Sequence, residues 1–158
     1  MTQSLLSRSR ADTQAVGRAL SGFLKPGDVV LISGPLGAGK SELARGVARG
    51  LGIMEPVTSP TFTLLNVYQS GRVILHHFDW YRIRDPEELL VSGLDEFIRG
   101  DWVTLIEWHG RAEVLLPEDC LEIALRPLGG DAREITLSGR GGFPVPDIRE
   151  IVEGGEGE

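Results

Sequence analysis

Gly34-Pro35-Leu36-Gly37-Ala38-Gly39-Lys40-Ser41 is the stretch of sequence that decides the fold. It has a glycine, four free positions, and then glycine, lysine and serine, which is the Walker A pattern of phosphate-binding loops. The apolar run Val29-Val30-Leu31-Ile32 precedes it and is typical of a buried parallel strand. Residues 42–49 follow it with a pattern typical of a helix. A strand, a glycine-rich loop and a helix in this order predict a P-loop that binds a nucleotide.

Each part of this loop has a physical task. Glycines at 34, 37 and 39 permit backbone conformations closed to other residues, so that N–H groups can turn inward around a phosphate. The N-terminus of the following helix adds partial positive charge. Lys40 is expected to reach the β- and γ-phosphates, and the Ser41 hydroxyl to bind Mg²⁺. A glycine-rich turn that binds nothing is the alternative, and the complete motif with both flanking elements disfavours it.

The composition favours one small cytoplasmic domain. The chain has 158 residues, of which 41% are hydrophobic and 25% charged, so it can bury one core of ordinary size. No apolar stretch approaches the length that crosses a bilayer, and residues 1–10 lack the apolar core of a signal peptide. Cys120 is the single cysteine, which excludes a disulfide framework and a cysteine-based zinc site. We therefore expect no membrane partner.

The formal net charge is −7, and no segment concentrates lysine and arginine. A protein that grips nucleic acid by itself usually presents a basic face, because neutralising phosphates supplies most of the affinity. Direct binding of DNA or RNA is therefore disfavoured. The scattered arginines leave open whether some of them converge on a nucleotide or on an acidic partner.

The order of predicted elements defines the fold class. A helix, a strand, the P-loop, a second helix and a strand-rich remainder predict one α/β domain of the P-loop NTPase type over residues 1–138, with a mixed, mostly parallel sheet flanked by helices. Asp12 or Thr13 is expected to cap a first helix that runs to about Leu24. Further elements are expected as strands within residues 57–68, 72–82, 103–108, 120–125 and 133–137, and as a helix over residues 85–98 that is interrupted around Gly93.

From Gly139 onward the composition shifts to glycine, proline and acidic residues. Such a segment can bury little apolar surface. Residues 139–158 are therefore expected to form a flexible C-terminal tail.

Two acidic residues stand where a P-loop enzyme needs carboxylates. Asp79 closes the apolar segment 73–78, and Glu107 closes the apolar segment 103–106. Ligands of open α/β sheets bind outside the carboxyl ends of the strands, so both carboxylates are expected to face the P-loop. A helix cap or a surface charge is the ordinary alternative for an acid at a strand end, and the presence of a P-loop favours the site.

The segment Ser59-Pro60-Thr61 lies between the P-loop helix and the strand that ends at Asp79. Nucleotide-sensing loops commonly occupy this place, and the Thr61 hydroxyl is expected to reach Mg²⁺ or the γ-phosphate. Taken alone, the same three residues are also typical of an ordinary turn.

Aromatic and histidine side chains stand beside the two acids. The spacing of Trp80, Tyr81 and Trp108 favours core packing over a docking surface. His76 and His77 are adjacent in a predicted strand, so they are expected to point to opposite faces of the sheet. This argues against the binding of one metal ion by both.

Together these segments resemble the TsaE family, small bacterial P-loop ATPases needed to make N6-threonylcarbamoyladenosine on tRNA. The resemblance covers roughly residues 9–138. The Walker A loop alone is generic, whereas the His-Phe-Asp-x-Tyr-Arg and Ile-Glu-Trp segments are specific. The matching segments, in the family's order and spacing, are residues 34–41, 57–64, 77–82, 85–89 and 105–108.

The resemblance implies ATP and Mg²⁺ as cofactors and gives each motif a role. The catalytic residues that it implies are Lys40, Asp79, Thr61 and Glu107, and Ser41 and Glu107 would hold Mg²⁺. The nucleotide-binding residues that it implies are Gly34, Leu36, Gly37, Ala38, Gly39, Lys40, Ser41 and Glu42, with Thr13 and Arg133 near the nucleotide.

The resemblance also implies partners. Members of the family work with the TsaB–TsaD pair, which transfers a threonylcarbamoyl group to the tRNA adenosine beside the anticodon, and they hydrolyse ATP to reset that complex. We therefore expect TsaB and TsaD as partners, with tRNA contacted only through their complex. We also expect ATP hydrolysis by the isolated chain to be slow.

The loop departs from the family pattern at two positions. Ser41 stands where threonine is usual and keeps the hydroxyl for Mg²⁺, whereas Pro35 replaces an aspartate and removes one backbone N–H at the rim. A nucleotide-binding regulator that does not hydrolyse is therefore one alternative. A small-molecule P-loop kinase is another, although no arginine-rich lid insertion is evident. A regulatory GTPase is disfavoured because the sequence has no Asn-Lys-x-Asp segment.

Overall fold

A computed structural model describes residues 2–154, and within them seven strands form one sheet in the order β1-β7-β6-β2-β5-β4-β3. Short 3₁₀ helices span Leu94–Phe97 and His109–Leu115. The strands are β1 (Thr2–Ser7), β2 (Val29–Ser33), β3 (Leu65–Tyr68), β4 (Leu75–Asp79), β5 (Val103–Glu107), β6 (Cys120–Gly129) and β7 (Ala132–Arg140). The α-helices are α1 (Arg10–Ser21), α2 (Lys40–Gly50), α3 (Glu87–Ser92) and α4 (Arg149–Gly154).

The centre of the sheet is parallel and its flanks are antiparallel. Strand β2 pairs in parallel with β5 and β6, and β4 pairs in parallel with β5. Strands β3, β7 and β1 add antiparallel pairs at the two sides. Residues 29–32 are fully buried because β2 is central and covered on both faces. The predicted fold class, a mixed α/β sheet in one P-loop domain, is confirmed.

Alternate residues of β2 belong to two separate cores. Val30 and Ile32 pack with α1 and α2, whereas Val29 and Leu31 pack with Leu89 of α3 on the other face. The predicted break in the later helix is present at Gly93, which adopts a left-handed conformation between α3 and the first 3₁₀ helix.

Helices α1 and α2 touch through their backbones. A side chain at Gly46 would collide with the carbonyl of Gln14, and one at Gly17 would collide with the carbonyl of Leu43. Glycine at both positions therefore allows the close approach that carries the N-terminus of α1 towards the P-loop.

The first helix begins earlier than predicted. Ser9 is the cap, because its hydroxyl accepts the N–H of Asp12, while the Asp12 carboxylate accepts the N–H of Arg8. Thr13 lies inside the helix with its hydroxyl 2.7 Å from that of Ser7. The prediction of Asp12 or Thr13 as the cap is wrong, and α1 ends at Ser21 rather than near Leu24.

The C-terminal segment differs from the flexible tail expected from its composition. Strand β7 continues to Arg140, and Phe143 and Val145 pack against the core. Ile148 is fully buried in that core, just before α4. The few apolar residues of this segment are spaced so that they reach the sheet face that α1 covers. Their burial outweighs the glycine- and acid-rich average composition from which a flexible tail was expected. Residues 155–158 lie outside the described part of the chain.

No helix in the described range 2–154 combines the length and the apolar character that crossing a membrane requires.

Candidate nucleotide-binding site

A cavity of about 460 Å³ opens at the carboxyl ends of β2, β4 and β5. It lies between the P-loop, the segment 59–61 and the turn that joins β6 to β7. Every residue predicted for the site except Gly34 reaches its wall. These residues are Thr13, Leu36, Gly37, Ala38, Gly39, Lys40, Ser41, Glu42, Thr61, Asp79, Glu107 and Arg133.

The P-loop backbone takes conformations that glycine favours. Gly34 has a φ of 147° and Gly39 a φ of 101°. A Cβ atom at Gly34 would lie 2.7 Å from the carbonyl oxygen of Leu125, so the close approach of β6 also demands glycine there. Helix α2 begins directly after Gly39, and its first N–H groups are therefore presented at the loop. This is the arrangement of an anion-binding helix N-terminus.

Carbonyl groups of the loop itself hold the Lys40 side chain. Its Nζ donates to the carbonyl oxygens of Gly34 at 2.6 Å and Pro35 at 3.1 Å. An ammonium group has three N–H donors, so one is left for another acceptor. Burial lowers the pKa of Lys40, and the negative charges of Glu107 and Asp79 oppose that lowering. Lys40 is thus a cation enclosed by oxygen atoms at the floor of the cavity.

Trp108 covers this cation. The Lys40 Nζ lies 4.3 Å from the centroid of the Trp108 ring, and such a cation–π contact is worth about 0.5–2 kcal/mol. Trp108 has φ 60° and ψ 40°, a left-handed conformation that costs a bulky residue about 1–3 kcal/mol. Trp80 lies in the core, as its spacing favours, whereas Tyr81 is 40% exposed and lines the cavity with Trp108.

Asp79 joins the end of β4 to the segment 59–61. Its Oδ1 accepts the backbone N–H of Tyr81 at 2.9 Å. Its Oδ2 accepts the hydroxyl groups of Ser59 at 3.1 Å and Thr61 at 3.4 Å. Asp79 is only 4% exposed, so these three donors satisfy a buried carboxylate. Asp79 and Thr61, each predicted for the site, are therefore in direct contact.

Glu107 lies at the end of β5 and is held by a histidine. Its Oε2 is 2.8 Å from Nε2 of His77, and both side chains are almost fully buried. His76 points to the opposite face, as the strand period predicts, where its ring stacks on Trp102 at 4.2 Å and bonds the carbonyl of Phe97. The two imidazoles therefore have different partners on opposite faces of the sheet.

The charge of Glu42 is compensated by its neighbours. Its Oε1 lies 2.7 Å from Nη1 of Arg45, and its Oε2 accepts the amide of Gln14 at 2.5 Å. Arg45 also donates from Nε to the carbonyl of Val57. Glu42, in the first turn of α2, is thus linked to α1 through Gln14. Through Arg45 it is also linked to Val57, just before the segment 59–61.

Arg133, at the start of β7, donates hydrogen bonds to the backbone of the P-loop. Its Nε donates to the carbonyl of Ala38 at 2.9 Å, and its Nη2 donates to that of Gly37 at 3.1 Å. Nη1 donates to the carbonyls of Gly130 and Ala132. Four of the five guanidinium N–H groups are therefore committed to backbone. The side chain that was expected near a nucleotide also fixes the loop.

Besides Tyr81 and Trp108, for which the sequence favoured core packing, the cavity is lined by three residues that the sequence did not single out. Ser9 and Arg10 come from the start of α1, and Asp131 comes from the turn between β6 and β7. Ser9 carried a signal, because a serine followed three positions later by Asp12 is a helix-start pattern. Arg10 and Asp131 carry none, since only the tertiary fold brings these distant segments to the P-loop.

The oxygen atoms present fit Mg²⁺. Ser41 and Glu107 line the same cavity, and Oε1 of Glu107 has no hydrogen-bond partner among residues 2–154. Mg²⁺ is usually held by one or two carboxylates together with substrate phosphates and water molecules. Among the described residues, no three or more His, Cys, Asp or Glu side chains form a group that could hold a metal ion. Phosphate oxygens and water molecules would therefore have to complete the coordination of Mg²⁺.

The fold and this cavity define a P-loop α/β protein of the NTPase class. A sequence-family model described as "Threonylcarbamoyl adenosine biosynthesis protein TsaE" matches residues 7–135. The chain belongs to the TsaE family, which confirms the resemblance seen in its motifs.

Individual relatives agree with this assignment. The tRNA threonylcarbamoyladenosine biosynthesis protein TsaE of Bacillus subtilis (strain 168) is 44% identical over 130 residues, which are 82% of this chain and 81% of the relative. The protein of the same name from Treponema pallidum (strain Nichols) is 44% identical over 133 residues, or 84% of this chain and 98% of the relative. The crystal structure of Bacillus subtilis YdiB matches with a TM-score of 0.76 at 34% identity, covering 98% of this chain and 93% of that chain.

Proposed function

We propose that this protein binds ATP with Mg²⁺, hydrolyses it, and thereby supports the TsaB–TsaD complex in forming N6-threonylcarbamoyladenosine on tRNA next to the anticodon. The observation that carries the proposal is one cavity lined by a P-loop lysine, a hydroxyl and two carboxylates, namely Lys40, Ser41, Asp79 and Glu107. Membership of the TsaE family supports the pathway, and the choice of TsaB and TsaD as partners is part of the proposal.

Each residue has a defined task in this proposal. The N–H groups of the P-loop and the free donor of Lys40 bind the phosphates, and the helix N-terminus adds its partial charge. Ser41 and Glu107 hold Mg²⁺, which neutralises charge on the phosphate oxygens when bound. Asp79 and Thr61, which touch each other, orient the attacking water.

Phosphate transfer to a small molecule is the second candidate. A kinase needs an acceptor pocket and cationic groups that close over it. Among the cations that line the cavity, Lys40 has its remaining donor assigned to the phosphates and Arg133 is bonded to backbone carbonyls, which leaves Arg10. The cavity lining thus offers one arginine for such a lid, and we favour hydrolysis.

The decisive experiment is a reconstituted tRNA modification reaction. With TsaB, TsaD and tRNA, wild-type protein is expected to sustain many turnovers, whereas Lys40→Ala is expected to stall the reaction and to lower ATP hydrolysis by about 100-fold or more, because the cation at the phosphates is lost. Lys25→Ala is the control, since Lys25 is the other lysine of the chain and lies exposed in the turn before β2.

Three results would contradict the proposal. Unchanged ATP hydrolysis by folded Lys40→Ala protein would remove the P-loop from the chemistry. Equal modification over many turnovers without this protein would remove it from the pathway. Transfer of the γ-phosphate to added nucleosides, in place of release of inorganic phosphate, would favour the kinase.

A further inference from the structure

We propose that His77 is a positioning residue that fixes the Glu107 carboxylate for the metal ion. This inference rests on the proposed function, because it assigns a role through the proposed Mg²⁺ ligand. His77 is 1% exposed and therefore cannot itself contact a nucleotide. Its influence has to pass through Glu107, whose Oε2 lies 2.8 Å from its Nε2.

Strand register explains why these two side chains meet. In the parallel pair of β4 and β5, His77 stands opposite Leu105, and Asp79 stands opposite Glu107. His77 and Asp79 are two positions apart and so share one face of β4. The imidazole therefore approaches Glu107 from one side, while Asp79 lies next to it at the strand ends.

The hydrogen bond to Glu107 determines which nitrogen of the His77 ring carries a hydrogen. An ionised carboxylate can only accept, so Nε2 of His77 must carry the hydrogen that it donates to Glu107. The other nitrogen, Nδ1, is buried and has no partner among the described residues. Leaving a polar atom without a partner costs free energy. Within the described residues, the bond to Glu107 is therefore the one hydrogen bond that the His77 ring makes.

The bond to His77 gives the two carboxylate oxygens of Glu107 different roles. Oε2 is engaged by His77, and Oε1 is left without a hydrogen bond in residues 2–154. Mg²⁺ demands a nearly ideal octahedral geometry, so a carboxylate held in one orientation binds it better than a freely rotating one. Loss of such a supporting partner in metalloproteins typically costs 10–100-fold in metal affinity.

Two amide variants test the role with little change in chemistry. The Gln side chain places its amide nitrogen near the position of Nε2, whereas the shorter Asn side chain does not reach Glu107. We expect His77→Asn to raise by about 10–100-fold the Mg²⁺ concentration that gives half-maximal binding of a non-hydrolysable ATP analogue. We expect His77→Gln to stay close to wild type. Free Mn²⁺, measured by electron paramagnetic resonance in the presence of the analogue, gives the same comparison without hydrolysis.

His76→Asn is the matched control. His76 is the buried neighbour on the opposite face, so its loss is expected to lower the melting temperature and to leave the Mg²⁺ midpoint unchanged. If His77→Asn does not fold, His77→Leu replaces it, since Leu fills similar volume and also removes the donor.

The outcomes separate this inference from the proposed function. Mg²⁺-dependent binding by wild type, with the same midpoint in His77→Asn, would overturn the positioning role and leave the function intact. A shift of equal size in His77→Gln or in His76→Asn would also overturn it, because the effect would then be one of packing. Binding by wild type that ignores Mg²⁺ would overturn the metal assignment itself, and the positioning role with it.

Discussion

Arg133 shows how a single side chain outside the P-loop shapes the loop. It donates to the carbonyls of Gly37 and Ala38 and so fixes the orientation of the loop backbone at these two residues. Lysine keeps the charge but cannot reproduce a planar fork of several donors. We expect Arg133→Lys to weaken ATP binding about tenfold, equivalent to ~1.4 kcal/mol, in an equilibrium titration.

Arg126→Lys provides the matching control for that experiment. Arg126 lies on β6, is largely exposed, and pairs with Glu134 at the surface, where exposed ion pairs contribute little. Equal ATP affinity in Arg133→Lys and wild type would show that the loop keeps its shape without the guanidinium group.

Single residues of the site were predictable when they belonged to a local pattern. Lys40 and Ser41 follow from the Walker A motif, and Asp79 and Glu107 follow from their position at the ends of apolar strands. Their roles in the chemistry stay predictions. The bond from His77 to Glu107 was not predictable, because it depends on strand register and side-chain rotamers that no sequence period encodes.

At the scale of elements, the segment 59–61 and strand β4 act together through Asp79. Removing its carboxylate in Asp79→Ala frees the hydroxyls of Ser59 and Thr61, while Lys40 and the loop N–H groups remain to bind phosphate. We expect kcat for ATP hydrolysis to fall by at least ~100-fold and KM to change much less. Steady-state kinetics measure both values.

Asp101→Ala is the comparison for Asp79→Ala. Asp101 is an exposed acid just before β5, at the opposite end of that strand from Glu107, so its variant is expected to behave as wild type. A rise in KM with an unchanged kcat in Asp79→Ala would assign Asp79 to nucleotide binding instead of to hydrolysis.

Elements with a strong local signal were predicted, and those held by distant partners were not. Strands β2 and β5 are continuous apolar runs, and both were anticipated. Strand β1 is a short polar and apolar alternation, TQSLLS, whose pairing partner β7 lies about 130 residues away in the chain. A four-to-six-residue strand of this kind acquires its stability from the sheet edge that it joins, which is visible only in the fold.

At the scale of the whole molecule, the N- and C-terminal segments pack against the same hydrophobic core. The side chain of Gln3 in β1 donates to the carbonyl of Pro146 and accepts the N–H of Ile148. Composition alone suggested a tail in this region because its average is polar. Average polarity is a poor guide here, since three or four well-spaced apolar side chains are enough to anchor a segment.

Substitution of Ile148 tests whether the C-terminal segment stabilises the core. Ile148 is fully buried, so Ile148→Ala removes apolar atoms from the core and leaves a cavity, a change that typically costs about 2–5 kcal/mol. For a chain of this size we expect the melting temperature to fall by roughly 5–15 °C in a calorimetric or circular-dichroism scan. Ile151→Ala, in the next turn of the same segment, is the control because Ile151 is 55% exposed and its variant is expected to melt within about 2 °C of wild type. Equal melting temperatures for the two variants would show that the C-terminal segment contributes nothing to the core.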